Sequence, residues 1–137
     1  FPSDKRALFL FEIDRTRRST KRLDERFRAY AAHLASRAAE KVKVERALGG
    51  IVVVFVAANR TELERLIIRA HTLMAERTIP RSMFLFWNSE RWYEPVAGAE
   101  NGDATAATVL RDPRAVLEEE AVLTVRGDRR RLVKSTA

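Results

Sequence analysis

The chain has 137 residues, 46% of them hydrophobic, no cysteine and a formal net charge of +7. That length suits one domain with a core able to stand without disulfides or metal, and the missing cysteine excludes a disulfide framework or a thiolate metal centre. No apolar run approaches the roughly 18 residues of a membrane span, and two histidines, His33 and His71, are too few for a histidine-based metal centre.

From the amino end, Ala7 to Asp14 reads as a strand that is apolar on both faces until its end. Alternation puts Phe9, Phe11 and Ile13 on one face and Leu8, Leu10, Glu12 and Asp14 on the other. A polar turn follows, with Ser19 or Thr20 as helix N-cap. One long helix is then expected to about Arg46, its apolar stripe formed by Leu23, Phe27, Tyr30, Leu34 and Ala38. Gly49-Gly50 ends it, and Ile51 to Ala58 has the continuous aliphatic character of a central strand covered on both sides.

Thr61-Glu62-Leu63-Glu64 matches a capping box and opens a second helix to about Arg77, with Leu63, Leu66, Ile67, Ala70 and Met74 facing inward. Met83 to Trp87 supplies a third strand. Val96 to Ala107, rich in Gly, Ala, Asn and Asp, is expected to be a flexible loop. Pro113 to Glu120 suits a short helix and Val122 to Val125 a small strand; Arg126-Gly127-Asp128 then turns the chain into Arg131-Leu132-Val133. The expected fold is α/β, a three-layer-like strand–helix–strand–helix–strand core with mainly parallel central strands. Residues 1–137 are expected to form a single domain, taken from a longer cytoplasmic protein because Phe1 stands where a start would be.

Arginine carries most of the positive charge, since only 5 of the 26 basic residues are lysine. Its planar fork suits phosphate and carboxylate, so the excess points to a polyanionic partner. A genome that writes arginine for lysine yields the same composition. The cations concentrate at Arg15, Arg17, Arg18, Lys21, Arg22, Arg26 and Arg28, around the start of the first helix, and again at Arg129, Arg130 and Arg131. Cations at a helix start oppose the macrodipole, a cost that a held phosphate offsets; a solvated amphipathic face is the plainer explanation.

Glu12 and Asp14, on one strand face, have the spacing to share a divalent cation. Pairing with nearby arginines is the structural alternative. Trp87, Trp92 and Tyr93 could stack bases, although such residues more often pack a core. Tyr30 and His71 suit burial with a satisfied polar tip. No glycine-rich phosphate loop or zinc spacing is present, which disfavours a nucleotide-binding domain.

The run Phe9-Leu10-Phe11-Glu12-Ile13-Asp14-Arg15-Thr16, followed by Ser19-Thr20-Lys21-Arg22-Leu23 and Phe27-Arg28-Ala29-Tyr30, resembles the replication-relaxation family of bacterial mobile elements. Members of that family show a Leu-Glu-Val-Asp-Arg-Gly-Thr strand and turn, then a Lys-Arg-Leu helix ending in tyrosine. The resemblance spans roughly Ala7 to Trp87, and departs at Arg17, where the family usually has glycine. It implies a preceding winged helix and a role tied to plasmid replication and DNA relaxation. The acid-bearing strand and helix are also similar to PD-(D/E)XK restriction-type nucleases. On that likeness Glu12 and Asp14 would be metal-side acids for Mg²⁺ or Mn²⁺, with Lys21 supplying a migrated catalytic ammonium. Asp14 stands where the nuclease lysine would be, and no upstream aspartate is in place, Asp4 falling in a turn.

The resulting expectation is a nuclease-like, DNA-associated domain, binding rather than cutting if the site is degenerate. Arg15, Arg17, Arg18, Lys21, Arg22, Arg129, Arg130 and Arg131 would face DNA. If active, it would be a metal-dependent DNA phosphodiesterase. A second copy or other replication or mobilisation proteins would be its protein partners, and no membrane is implied. The rival is an inactive protein-interaction module with a basic surface, its carboxylates locked under guanidinium groups.

Overall fold

A computed structural model describes residues 6–13, 19–76, 84–95, 108–119, 121–124, 126 and 128–130. Strand β1 (Arg6–Ile13) leads to helices α1 (Thr20–Leu34) and α2 (Arg37–Glu45), then β2 (Leu48–Ala57), α3 (Arg60–Ala75) and β3 (Phe84–Asn88). A 3₁₀ turn at Ser89–Trp92 joins β4 (Tyr93–Pro95); β5 (Thr108–Leu110), α4 (Pro113–Glu118), β6 (Val122–Thr124) and β7 (Arg129–Arg130) complete the order. The fold is α/β around a mixed five-stranded sheet of order β1-β2-β3-β6-β7. β1, β2 and β3 run parallel, as the alternation of strands and helices requires. β6 and β7 are antiparallel additions, so the sheet is not parallel throughout. The β4–β5 pair forms a separate antiparallel ribbon that the sequence pattern did not reveal.

β2 is the central strand its aliphatic run implied, with residues 52–57 all buried. β1 is not buried on both faces. It lies at the sheet edge, and Phe11 and Ile13 are 46% and 55% exposed. An apolar run marks a strand but cannot tell a middle position from an edge with one open flank.

The expected single helix is two. Ser36 interrupts it: its hydroxyl donates to the His33 carbonyl at 2.5 Å and accepts from the Ala39 amide at 3.2 Å, capping α2. Serine competes for backbone partners in this way and ends one helix while starting the next. The break shifts the apolar phase, so Ala39 is buried and Ala38 is exposed. At α3 the cap is Asn59 rather than Thr61, its side chain accepting from the Glu62 amide at 2.9 Å. Ser19 caps α1 as expected. The carboxyl-terminal strand starts at Arg129, and the proposed run through 131–133, the loop at 96–107 and Met83 lie outside the described residues.

Two apolar clusters sandwich the sheet. α1 and α3 cover one face through Leu23, Phe27, Leu34, Leu63, Leu66, Ala70 and Leu73 over Val53, Phe55, Phe84 and Phe86. On the other face Val54, Val56, Trp87 and Val122 meet Val116 of α4, with Phe9 and Trp92 alongside. Because the Asn59 side chain caps α3, Asn59→Ala should lower the unfolding free energy by about 1 kcal/mol. Urea denaturation should show this as a lower midpoint at unchanged slope.

Candidate functional site

Phe27 fixes the position of α1. Its ring lies 4.6 Å from that of Phe55, 5.5 Å from Phe84 and 6.3 Å from Phe86, in tilted and edge-on geometries that favour aromatic pairs. One turn later Tyr30 meets Phe55 edge-on at 5.7 Å. Phe55 is the register partner of Glu12 on β1, so the two side chains share the α1 face of adjacent strands. Tyr30 is thereby carried over Glu12.

The Tyr30 hydroxyl donates to Glu12 Oε2 at 2.5 Å, and Arg26 Nε donates to Glu12 Oε1 at 3.0 Å. Each carboxylate oxygen thus accepts one of the two donors. Only 12% of the Glu12 side chain is exposed, against 45% for Arg26, whose guanidinium also lies 5.7 Å from the Tyr30 ring centroid. A carboxylate drawn this far from water requires such partners. Tyr30 had signalled itself as an apolar-face residue with a polar tip needing satisfaction. Arg26 could be read only as one more cation in the basic stretch, and nothing local links it to an acid fourteen residues earlier.

The other flank of α1 is tied to α3. Arg69 donates from Nε to Asp24 Oδ1 at 3.0 Å and from Nη2 to Oδ2 at 2.5 Å, a bidentate fork. The hydrogen bond to Asp24 is the main cause that raises the Arg69 pKa above its ordinary value. A raised pKa on a cation gives a contribution that is complete below the unfolded value and fades only as pH climbs through the folded one. For an arginine that window lies in strong alkali, so this clamp adds no pH dependence near neutrality.

The expected site residues are distributed as follows. Glu12 is in the latch just described. Asp14, Arg15, Arg17, Arg18 and Arg131 lie outside the described residues. Arg22 is exposed one turn before Arg26 and shares its flank. Lys21 is also exposed, but five residues before Arg26 it is about 140° away around the helix, off the flank that meets Glu12. Arg129 and Arg130 are exposed on β7, the edge opposite β1, roughly 19 Å across the sheet at ordinary strand spacing. Among the described residues, the cations of α1 and those of β7 therefore do not converge on one point.

Trp87 is buried edge-on to Trp92 with centroids 5.0 Å apart, so it belongs to the core and offers no face to a base. Arg91 and Arg111 both grip Glu119, each at 2.8 Å, and tie the ribbon to the α4 region. Among the described residues no group of three or more His, Cys, Asp or Glu side chains could hold a metal ion, and no helix is long and apolar enough to cross a membrane. No protein-family model, curated protein or solved structure matches the chain.

Tyr30→Phe removes one donor from an enclosed carboxylate and should lower stability by about 1–2 kcal/mol. Arg22→Ser, on the same flank but in solvent, should stay within about 0.5 kcal/mol of the parent in the same denaturation experiment.

Proposed function

We propose that this chain is a DNA-associated domain of the replication-relaxation type, nuclease-like in plan, that binds DNA through its cationic surface and does not cut it at Glu12. The observation that carries this reading is the state of the Glu12 carboxylate, whose two oxygens accept from Arg26 and Tyr30. A Mg²⁺ or Mn²⁺ ion bound there would have to displace both donors and sit beside a fixed guanidinium charge. Among the described residues the donor set does not suit such an ion, and no catalytic step is derived through one.

Binding rests on cations that the fold leaves in solvent. Lys21, Arg22 and Arg28 are exposed on α1, and none forms an ion pair with a described acid. The neighbouring acid Asp24 is already neutralised by Arg69, which leaves this stretch of helix surface dominated by positive charge. Guanidinium forks of this kind suit backbone phosphates. The protein-interaction alternative shares the spent carboxylate, so the two readings part only on the ligand of the basic surface.

Fluorescence anisotropy with duplex and single-stranded oligonucleotides, at salt concentrations between about 50 and 200 mM, separates them. The proposal expects affinity to fall steeply with salt. Arg22→Ser and Arg28→Ser should each flatten the log–log slope by about 1 where the residue meets a phosphate. Incubation of supercoiled DNA with Mg²⁺ or Mn²⁺ should give no nicking. Salt-insensitive or absent binding would transfer the case to the protein-interaction reading. Metal-dependent nicking that Glu12→Gln abolishes would restore Glu12 as a catalytic residue.

A further inference from the structure

A single row of residues crosses the sheet on the side that α1 and α3 cover. Glu12 is the register partner of Phe55, Phe55 of Phe86, Phe86 of Leu123, and Leu123 of Arg129. Register partners point to the same side of a sheet, and Phe55, Phe86 and Leu123 all pack into the cluster beneath the two helices. Arg129 therefore projects on the helix side. Arg130, the partner of Val122 in the α4 cluster, projects on the other. At the far end of the row Arg26 and Tyr30 both reach Glu12, and Arg28 falls between them on α1. Arg28 is also four residues after Asp24, the acid that Arg69 of α3 grips, so it stands level with the row on the flank of α1 that leans towards α3. Two exposed guanidiniums thus share one face and one level, three to four strand spacings or roughly 14–19 Å apart.

We infer that a single strand of DNA crosses the helix layer along this row, its phosphates held by Arg28 at one end and Arg129 at the other. The inference rests on the DNA reading above and adds the face, the path and the strandedness. Neither guanidinium forms an ion pair with a described acid. They stand too far apart for one phosphate or carboxylate to touch both, so a ligand common to them is a chain of anions, and guanidinium forks suit phosphate oxygens. Three acids of the helix layer are already neutralised, Asp24 by Arg69, Glu62 by Arg65 and Glu64 by Arg60. Glu25, exposed one turn before Arg28, opposes a phosphate there, so the path runs on the carboxyl-terminal side of that turn. Relief selects a single strand over a duplex. α3 packs over β2 and β3 between the two arginines, and a helix with its side chains is about 10–12 Å across, so Arg28 sits on a ridge and Arg129 at its foot. A duplex, with a persistence length of roughly 150 base pairs, stays straight over such a step, whereas a flexible single strand follows it.

Fluorescence anisotropy of the full chain with an oligothymidylate of about 15 nucleotides and a duplex of about 15 base pairs, at salt from about 50 to 200 mM, tests this. Circular dichroism confirms that each variant is folded. The single strand should bind more tightly than the duplex. Arg28→Ser and Arg129→Ser should each weaken it at least about 3-fold and flatten its log–log salt slope by about 0.7, the value for one phosphate of a single strand. Arg130→Ser, one residue on but facing the other side, should change neither quantity. Equal effects of Arg129→Ser and Arg130→Ser would mean general charge attraction and overturn the path, and a duplex bound as tightly as the single strand would overturn the strandedness. Weakening by Arg28→Ser with Arg129→Ser inert would overturn the crossing and leave the DNA reading intact. Absent or salt-insensitive binding by the wild type would remove both.

Discussion

The packing of α1 on Phe55 is the constraint from which the rest follows. Phe27 meets Phe55 in the buried core, and Tyr30 meets the same ring from its half-buried flank. Phe55 in turn stands beside Glu12 in the parallel register of β1 and β2. Once the aromatic contacts set the rotation and height of the helix, Tyr30 and Arg26 reach the edge strand. Hydrophobic burial supplies the driving force; the polar contacts decide which strand α1 is fastened to. Asp24 and Arg69 fasten the other flank to α3, so α1 is held between the sheet edge and its neighbour by two ion pairs of opposite polarity.

This arrangement gives the acidic end of β1 a structural meaning. A carboxylate at the carboxyl end of a parallel strand is well placed for chemistry, because ligands in α/β folds gather there. At Glu12 the surrounding donors favour a fixed anion that completes the helix–strand contact. The positive charge of the chain divides accordingly. Arg26, Arg69, Arg91 and Arg111 serve the fold through fixed acids, whereas Lys21, Arg22 and Arg28 are left to the solvent and to whatever anion approaches.

Much of the architecture was legible in the residues. The aliphatic run of β2, the i, i+4 stripe of α1 and the turn residues between them imply three parallel strands with crossover helices, and these are present. What escaped was decided by tertiary competition. Ser36 splits the helix because its hydroxyl can satisfy backbone groups on both sides, which apolar periodicity does not register. β1 read as apolar on both faces because Phe9, Phe11 and Ile13 form an apolar row, yet it lies at an edge of the described sheet, where Phe11 and Ile13 are exposed. At the site, Glu12 stood out by sequence because acids are rare in apolar strands. Its partners did not, since Arg26 and Tyr30 lie fourteen and eighteen residues away and meet it only through the crossover.

Glu12 acts as the latch between β1 and α1. A double-mutant cycle on unfolding free energy, using Glu12→Gln, Arg26→Gln and the double variant, measures that directly. A coupling of about 1 kcal/mol or more in favour of the native pair is the predicted result. Coupling indistinguishable from zero, with Glu12→Gln as stable as the parent, would contradict it.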